Sequence, residues 1–433
     1  ITRNGNTTQG TFSPFSQTGW GNYFDGTANG SLRADSSTDT NLSGDFTIQA
    51  WIYPTANGQS SNSEIISRGA ATTLNGWHFG LVASTTQLYF GLNYASSGNT
   101  STSTQSSTNL SLNQWTHVAV TRSGNTCRIY INGAVDTTNT GFTGTPTVSG
   151  TEYVYIGRGS YDATNRQFTG YVNNASIIKG TALSTFNLTQ PLATGTSGQS
   201  LLTCTANRFI DTNTATTAKT LTAGSGASVV AFSPFNPLLP WTAANNGGSG
   251  YFDGASDYLT VPDNASLELG SSNFTLETWV YVTAAPSGLT GIFAKGGSPY
   301  GGFYLGYNAS RVVKLYASTT SSTWDIANDV GAQTLSLNAW NHVAISRNGS
   351  SWRIWVNGTS GSSDTVTSSS AVWNTANVWY IGSNPTGAEN FTGYMASARF
   401  VIGSYVYDPA STTLTIPTAP LTNITNTSLL LNF

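Results

Sequence analysis

The sequence predicts an all-β fold arranged as two tandem domains of the same kind. Two observations support this prediction: an internal repeat that spans most of the 433 residues, and many short strand-like segments separated by turns. Hydrophobic residues make up 38% of the chain and aromatic residues 12%, which is enough to form folded cores. Global disorder is therefore excluded as a description of the chain.

The internal repeat consists of short motifs that return in the same order. The motif YFDG occurs at residues 23–26 and again at 251–254, an offset of 228 (251 − 23). The motif WTHVA at residues 115–119 returns as WNHVA at 340–344, an offset of 225 (340 − 115). A period of this length is far above that of a solenoid or a propeller blade, so we expect each copy to be a domain.

Four regions follow from the repeat and from the composition between its copies. We predict a linker tail at residues 1–19, a first β-sandwich at 20–190, a connecting segment rich in Pro, Thr and Gly at 191–247, and a second β-sandwich at 248–433. The motif FSPF precedes both copies, at residues 12–15 and 232–235. Residues 1–15 thus resemble the end of the connecting segment, and we expect further sequence upstream of them.

Each copy contains segments typical of short β-strands. VAVT at residues 118–121 and CRIYI at 127–131 are rich in β-branched residues and are separated by a turn. The dipeptide Asn-Gly at residues 132–133 and 357–358 is a strong hairpin-turn signal. Turns at intervals of ~8–12 residues indicate a sandwich or a barrel, and no 3.6-residue periodicity indicates a helix. We expect three tryptophans in the cores: Trp51, Trp115 and Trp279.

The charge content limits the range of partners. Charged residues make up only 8% of the chain, against about 25% in an average soluble domain. The net charge is −3 and the 16 Lys and Arg residues form no basic stripe, so we predict no nucleic-acid partner. No apolar run approaches the ~20 residues of a membrane span, so we predict no membrane partner. The cysteines, Cys127 and Cys204, are expected to be small buried hydrophobic residues.

The acidic residues and histidines argue against catalysis. Retaining glycosidases place two carboxyl groups about 5–5.5 Å apart. The glutamates closest in sequence, Glu268 and Glu277, are nine positions apart (277 − 268). His117 and His342 occupy matching positions of the repeat without further metal-ligand residues at suitable spacing, so we expect both to be buried structural residues. We therefore predict that the protein is not an enzyme.

The repeated motifs resemble those of a known superfamily. The order YFDG, FTxxxW, WxHVA, IYxNG, YIG and FTGY is similar to that of laminin-G-like domains in the concanavalin-A-like lectin/glucanase superfamily. The resemblance covers residues 20–205 and 248–433. It implies that each copy is a concanavalin-A-like jelly-roll β-sandwich.

Segments near the junction of the copies resemble the linkers of large phage structural proteins, those of marine phages especially. These segments are IIKGTAL at 177–183, LLTC at 201–204, NRFID at 207–211 and FSPF at 232–235. The resemblance implies a non-catalytic protein on the virion surface, in a capsid-decoration, head-fibre or tail-fibre role. Its partners would be other virion proteins, further copies of itself as a homo-oligomer, or host-surface glycans. The alternative is a secreted or cell-surface adhesin that binds glycans.

Sugar binding requires aromatic side chains that stack on sugar faces, with polar groups beside them. We expect such residues between the shared strands, where the two copies differ most. The candidates are Trp77 and Tyr94 in the first copy, and Tyr300, Tyr316, Trp324 and Asp325 in the second. For each candidate, the alternative is a place in the core or in a subunit contact.

Three aspartates are weaker candidates for a metal site. Asp25 and Asp253 begin the same turn in the two copies, and Asp257 follows in the second. Oxygen ligands suit Ca²⁺, and the resemblance implies Ca²⁺ at the rim of the domain, as in some laminin-G-like domains. Asp-Gly is also ordinary turn chemistry, which is the alternative. No other cofactor is predicted.

Overall fold

The computed structural model divides the chain into two compact units. We call residues 18–238 the first module, and residues 239–433 together with 1–17 the second module. The structure describes residues 2–4, 8–10, 19–69, 75–94, 102–146, 151–160, 164–231, 243–296 and 301–433. Nearly all regular structure in these ranges is β-strand, which confirms the all-β prediction.

The strands are numbered in chain order. Two precede the first copy of the repeat: β1 (Thr2–Asn4) and β2 (Thr8–Gly10). Those of the first module are β3 (Gly21–Asp25), β4 (Leu32–Ala34), β5 (Phe46–Pro54), β6 (Ser63–Arg68), β7 (Asn75–Leu81), β8 (Gln87–Tyr94), β9 (Thr102–Asn109), β10 (Thr116–Ser123), β11 (Thr126–Ile131), β12 (Ala134–Asn139), β13 (Val154–Ile156), β14 (Thr169–Lys179), β15 (Gln199–Thr203), β16 (Leu221–Ala223) and β17 (Ala227–Val230).

The remaining strands belong to the second module. They are β18 (Ser249–Asp253), β19 (Tyr258–Val261), β20 (Phe274–Val282), β21 (Thr290–Gly296), β22 (Gly301–Tyr307), β23 (Val313–Ala317), β24 (Ala327–Val330), β25 (Trp340–Asn348), β26 (Ser351–Val356), β27 (Thr365–Thr367), β28 (Trp379–Ile381), β29 (Thr392–Ile402) and β30 (Thr427–Leu431). The described helical segments are α1 (Ala243–Asn246) and short 3-10 helices at Thr38–Thr40, Ala265–Leu267 and Ser362–Asp364. None of the described helices has the length and hydropathy needed to cross a membrane.

Each module is a sandwich of a seven-stranded and an eight-stranded sheet. The first module has the orders β16-β4-β13-β6-β7-β8-β9 and β12-β11-β10-β5-β14-β3-β17, with β15 added beside β14. The second module has the orders β1-β19-β28-β21-β22-β23-β24 and β2-β18-β29-β20-β25-β26-β27, with β30 added beside β29. The two orders correspond strand by strand, so the repeat in the sequence is a repeat of the whole sandwich.

Alternation along the strands places one face of every sheet in the core. On β5, Phe46, Ile48 and Ile52 are buried in the core, and the ring centroid of Phe46 lies 5.3 Å from that of Phe90 on the opposite sheet. In the second module the rings of Phe293 and Phe400 meet across the sandwich at 4.9 Å. The other face of each sheet, its outer face, is left for other contacts.

The expected core position of three tryptophans is corrected by this alternation. Trp51 is the next residue to the core residue Ile52, and the pairing of β5 with β10 is regular, so Trp51 points to the outer face. Trp51 and Trp115 are only partly buried. Trp279 is buried, but it has the same outer position as Trp51 because it lies opposite His342 on β25.

The domain bounds predicted from the sequence also change. Strands β15, β16 and β17 pair with β14, β4 and β3, so most of the predicted connecting segment at 191–247 belongs to the first module. Asp211 fixes part of this segment by accepting hydrogen bonds from the backbone N–H groups of Leu202 at 3.0 Å and Lys219 at 2.9 Å. The predicted linker tail at 1–19 contains β1 and β2, which are strands of the second module's sheets.

Both cysteines are buried and free, as expected from the sequence. Burial raises the pKa of the Cys127 thiol to about 12 and that of the Cys204 thiol still further. Both side chains belong to the core cluster of the first module, where they pack as apolar groups.

A buried ionic cluster lies on the outer face of the second module's eight-stranded sheet. Glu277 accepts hydrogen bonds from Arg399 Nη2 at 2.6 Å and from Tyr407 Oη at 2.8 Å, and its Oε2 lies 3.1 Å from His342 Nε2. Burial opposes ionisation of Glu277, but the hydrogen bond and charge of His342 and the charge of Arg399 hold its pKa below the ordinary value. The carboxylate thus stays ionised inside the protein.

The first module has a neutral version of this cluster. Gln49 occupies the position of Glu277, and its Oε1 lies 3.1 Å from His117 Nε2. Burial lowers the pKa of His117 to about 4, so the imidazole is neutral near pH 7. The expectation that the matching histidines are buried structural residues is confirmed in both modules.

The substitution Glu277→Gln should destabilise the second module by roughly 3–5 kcal/mol, because it leaves the Arg399 guanidinium buried without its carboxylate partner. Denaturant unfolding, with hydrogen exchange at β20 as the local probe, measures this loss. The control is Asp329→Asn, which removes a mostly exposed carboxylate from Lys314 and should cost less than about 1 kcal/mol. Equal losses in the two variants would contradict the importance of the buried pair.

Candidate functional site

A row of aromatic rings lies on the outer face of the second module's seven-stranded sheet. Tyr304 on β22 and Tyr316 on β23 are direct partners across the strands, with ring centroids 5.8 Å apart. Trp324, in the loop after β23, extends the row with its ring 5.6 Å from that of Tyr316. Leu315, the neighbour of Tyr316, is a core residue, so alternation directs Tyr316 outward. We call these three residues the aromatic row.

Gly306 leaves the space that the ring of Tyr304 occupies at the buried end of the row. A Cβ atom at Gly306 would lie only 2.6 Å from Cε1 of Tyr304, so this position has to lack a side chain for the ring to lie where it does. Tyr304 is buried, whereas Tyr316 and Trp324 are partly exposed. Burial, and then the charge of Glu389, raise the pKa of Tyr304, which keeps its phenol neutral.

A polar edge borders the row at Tyr316. The Tyr316 hydroxyl donates a hydrogen bond to Asp329 Oδ1 at 2.9 Å, and Lys314 Nζ donates to Asp329 Oδ2 at 3.3 Å. Burial, and then the hydrogen bond and charge of Asp329, raise the pKa of Tyr316. The side chain of Asp329 is 61% exposed, so its carboxylate retains acceptor positions toward solvent.

The loop that carries Trp324 is fixed by its neighbour. Asp325 accepts hydrogen bonds from Thr319 through the backbone N–H at 2.7 Å and the hydroxyl at 2.5 Å. These bonds hold the pKa of Asp325 below its ordinary value. Asp325 therefore closes the loop, while the carboxylate beside the row is that of Asp329, which the sequence did not single out.

The structure assigns different surroundings to the other predicted ligand residues. Trp77 is wrong as a ligand residue: its side chain is 0% exposed in the core, and its Nε1 donates to the Thr40 carbonyl at 3.1 Å. Sequence position between the shared strands did not reveal that Trp77 lies on the core side of β7. The side chain of Tyr94 and the whole of Tyr300 lie outside the described residues.

The three predicted metal-ligating aspartates take part in turns. Asp25 Oδ1 accepts from the backbone N–H of Thr27 at 2.9 Å, and Asp253 Oδ1 from that of Ala255 at 2.8 Å. Asp257 Oδ2 accepts from the backbone N–H of Asp253 at 2.9 Å. Within the described ranges, no three His, Cys, Asp or Glu side chains are grouped so as to hold a metal ion. Ca²⁺ binding stays a prediction.

The corresponding face of the first module is built differently. His78 pairs with Gly91 as Tyr304 pairs with Tyr316, so a glycine takes the place of the central ring of the row. Glu64, which is fully buried there, accepts hydrogen bonds from the Tyr89 hydroxyl and from Arg166 Nη1, the latter at 3.3 Å. On this face the first module therefore has a polar cluster in place of the aromatic row of the second module.

Burial raises the pKa of Glu64 to about 7, although Arg166 and Tyr89 act in the opposite direction. The folded protein therefore keeps a proton on this carboxyl group to a higher pH than an exposed glutamate would. A single buried carboxyl group with a raised pKa makes the stability of the first module depend on pH.

A second set of rings, which sequence reasoning missed as a group, recurs on the outer face of both eight-stranded sheets. The rings of Tyr23 and Tyr171 lie 4.9 Å apart, and those of Tyr251 and Tyr394 lie 5.1 Å apart. Aromatic residues at alternate positions, as in WIY at 51–53, were the signal that could have identified them. Two further equivalent pairs are Tyr53–Trp115 at 5.7 Å and Tyr281–Trp340 at 5.6 Å.

The substitution Glu64→Gln should remove a pH dependence of stability in the first module. Because the folded pKa of about 7 is above the ordinary 4.5, the folded state binds the proton more tightly. Its contribution is complete below pH 4.5 and is lost as pH rises through 7, a change of about 3 kcal/mol that the glutamine variant lacks.

Unfolding of both proteins at pH 5 and pH 8, with hydrogen exchange at β6, measures the difference. Glu268→Gln, the same substitution in the second module, is the control and should leave the β6 profile unchanged. Parallel pH profiles of the Glu64→Gln variant and the parent protein would contradict the assignment.

Several solved structures resemble the chain in fold. A candidate carbohydrate-binding protein from Bacteroides ovatus is 16% identical, with a TM-score of 0.36 over 50% of this chain, and the chain spans 60% of its length. The heptameric SAP-like pentraxin of Limulus polyphemus is 19% identical, with a TM-score of 0.30 over 39% of this chain and 79% of its own. Mouse laminin α1 domains LG4-5 are 12% identical, with a TM-score of 0.30 and 88% of each chain covered.

No curated protein sequence matches the chain. The sequence family Laminin_G_3, described as the concanavalin A-like lectin/glucanases superfamily, matches residues 24–185 and 253–402. These two segments lie within the two sandwiches, one in each, and make up more than half of the chain. The protein therefore belongs to the Laminin_G_3 family of the concanavalin A-like lectin/glucanases superfamily, with one such domain in each module.

Proposed function

We propose that the protein binds glycans without cleaving them, and that the aromatic row of the second module is its sugar-binding site. The observation that carries the proposal is the combination of Tyr316 and Trp324, both partly exposed, with the solvent-facing carboxylate of Asp329. Membership of a superfamily that includes lectins supports it.

The chemistry of a sugar matches the two parts of this site. The C–H groups on a pyranose face pack against aromatic rings, and such contacts remove apolar surface from water. The hydroxyl groups of the sugar donate to a carboxylate and accept from an ammonium group, and hydrogen bonds to charged partners are among the stronger ones. Asp329 and Lys314 supply these groups at one edge of the row.

The site is a strip along the sheet, which favours an extended oligosaccharide that lies across several rings. The rings of Tyr304, Tyr316 and Trp324 follow one another at 5.8 and 5.6 Å, across two strands and the adjoining loop. Two hydrogen bonds from Thr319 to Asp325 close the loop that carries Trp324 and so hold the last ring in place. Little rearrangement is then needed on binding, which lowers its entropic cost.

The proposal assigns no catalytic step to the acidic groups near the row. Asp329 is bound to Tyr316 and Lys314, and burial raises the pKa of Glu389. Incubation with the bound oligosaccharide should release no reducing sugar. Release that depended on Glu389 or Asp329 would show that the protein is a hydrolase.

We place this activity on a virion surface, as the connecting-segment motifs predict. The low charge and the tandem sandwiches suit an exposed outer layer, while the motif residues themselves serve the fold, as Asp211 does. Electron microscopy of the native source should show regular copies on a capsid or tail. Protein distributed on a cell envelope, or free in solution, would favour the secreted adhesin instead.

The substitution Trp324→Ala should weaken glycan binding by roughly 10-fold to 100-fold, which corresponds to about 1.5–3 kcal/mol for loss of a large apolar contact. A glycan array identifies the oligosaccharide, and calorimetric titration with that compound then compares the variants. Asp329→Asn should weaken binding less, because only the charge of the acceptor is lost.

The control is Tyr405→Ala, which removes a more exposed aromatic side chain, 39% exposed, outside the row. Its affinity should match that of the parent protein. Unchanged affinity of the Trp324→Ala variant, or the absence of any saturable binding on the array, would contradict the proposal.

A further inference from the structure

Two tyrosine rings lie side by side on the outer face of the first module's seven-stranded sheet. Val154 and Ile156 on β13 are core residues, so alternation directs the residue before each of them to the outer face. These residues are Tyr153 and Tyr155, whose ring centroids are 6.4 Å apart. Both side chains are partly exposed, so the pair presents ring surface and phenol groups toward solvent.

An arginine is stacked on each of the two rings. Cζ of Arg33, on β4, lies 4.3 Å from the ring centroid of Tyr153. Cζ of Arg158, just after β13, lies 4.3 Å from the ring centroid of Tyr155. Arg33 is also the direct cross-strand partner of Tyr155, so both arginines adjoin the same residue. We call these two arginines and two tyrosines the arginine–tyrosine cluster.

No carboxylate neutralises the two arginines in the part of the chain that the structure describes. Arg166, by contrast, is paired with Glu64. The Nε atoms of Arg33 and Arg158 are buried without a hydrogen-bond partner, whereas their Nη groups are open to solvent. Burial of a donor without a partner costs stability, so packing alone does not account for two unpaired arginines at this place.

The equivalent positions of the second module lack both arginines. Thr260 stands opposite Tyr380 there, as Arg33 stands opposite Tyr155 in the first module. After β28 the sequence continues with Gly-Ser, where β13 is followed by Gly-Arg. The central tyrosine is thus common to both modules, while the two positive charges occur together in one module and are absent together from the other. This is the pattern expected of two side chains that act on one ligand.

We propose that the arginine–tyrosine cluster binds the carboxylate groups of an acidic saccharide, such as an oligomer of a uronic acid. That the ligand is a saccharide rests on the glycan binding proposed above, whereas the preference for an anion rests on the cluster itself. A guanidinium group binds a carboxylate through two parallel hydrogen bonds, which are stronger than bonds between neutral groups. The hydroxyl groups of Tyr153 and Tyr155 form no hydrogen bond within the described ranges and can bond the hydroxyl groups of the sugar.

The surroundings of the cluster favour this ligand over the aromatic row as its place of binding. Stacking on the rings holds both guanidinium groups in position before a ligand arrives, which lowers the entropic cost of binding. At the aromatic row, the exposed carboxylate of Asp329 would repel an acidic sugar. The net charge of the protein is −3, so the attraction is a local property of the cluster, and added salt should weaken it.

Calorimetric titration of the full chain with uronate trimers tests the proposal. The probes are the trimers of galacturonate, mannuronate and guluronate, each compared with its neutral methyl ester. The double variant Arg33→Thr with Arg158→Ser carries the residues that the second module has at these positions, so we expect it to fold. The parent protein should bind at least one trimer saturably. Esterification of that trimer, or the double substitution, should weaken binding by at least about 10-fold, because charged hydrogen bonds are lost.

The matched control is Arg128→Thr, which removes a partly exposed arginine from β11, in the other sheet of the same module, and should leave the affinity unchanged. The variant Trp324→Ala separates the two proposed sites. Uronate binding that survives in this variant but is lost in the arginine double variant supports the cluster, even where no neutral glycan binds the row. The reverse result would assign the binding to the aromatic row and overturn the proposal. No saturable binding of any of the three trimers, or equal affinity for the esters, would overturn it as well.

Discussion

The structure depends on the requirement that each sheet bury one face and leave the other free. Alternation along β5 and β20 sends Phe46 and Phe274 into the cores and Trp51 and Trp279 to the opposite side. The cores can therefore remain similar in the two modules while the outer faces change. The aromatic row and the ionic cluster of Glu277 both lie on outer faces.

The outer faces of the eight-stranded and seven-stranded sheets differ in how similar they are between the two modules. On the eight-stranded sheets the equivalent tyrosine pairs agree within 0.2 Å between the modules: Tyr23–Tyr171 lie 4.9 Å apart and Tyr251–Tyr394 lie 5.1 Å apart. On the seven-stranded sheets, His78 and Gly91 stand where the second module has Tyr304 and Tyr316. The outer face of the eight-stranded sheet is similar in both modules, which suggests a role in the sandwich itself. The outer face of the seven-stranded sheet differs between them, which allows the second module a specialised role.

The buried charged residues also differ between the two modules. Few residues are charged, and several of those are buried in specific pairs, such as Glu277 with Arg399. In the first module Gln49 replaces Glu277, and the arginine is absent too, because Ser176 stands opposite Gln49 where Arg399 stands opposite Glu277. The ionic cluster has thus been gained or lost as a unit, which is expected because either charge alone would be costly inside the protein.

The sequence was sufficient to predict the fold class and the repeat, since both depend on local patterns that occur twice. It was not sufficient to assign faces: Trp77 and Tyr316 both belong to the variable part of their copies, and only strand register shows that one points to the core. Asp329 was missed because its role arises from a contact with Tyr316 across neighbouring strands. The extent of the modules was missed because β16 and β17 are only three and four residues long and lie in a polar segment.

The proposed place on a virion surface and the geometry of the aromatic row are connected through multivalency. A strip on a sheet surface, with one exposed carboxylate at its edge, encloses a sugar on one side only, and a site of this kind binds weakly by itself. Regular copies on a capsid or tail would repeat the aromatic row at a fixed spacing. A surface that carries many glycans would then be held by several rows at once, and the effective concentration at the second site raises the overall avidity without any new contact.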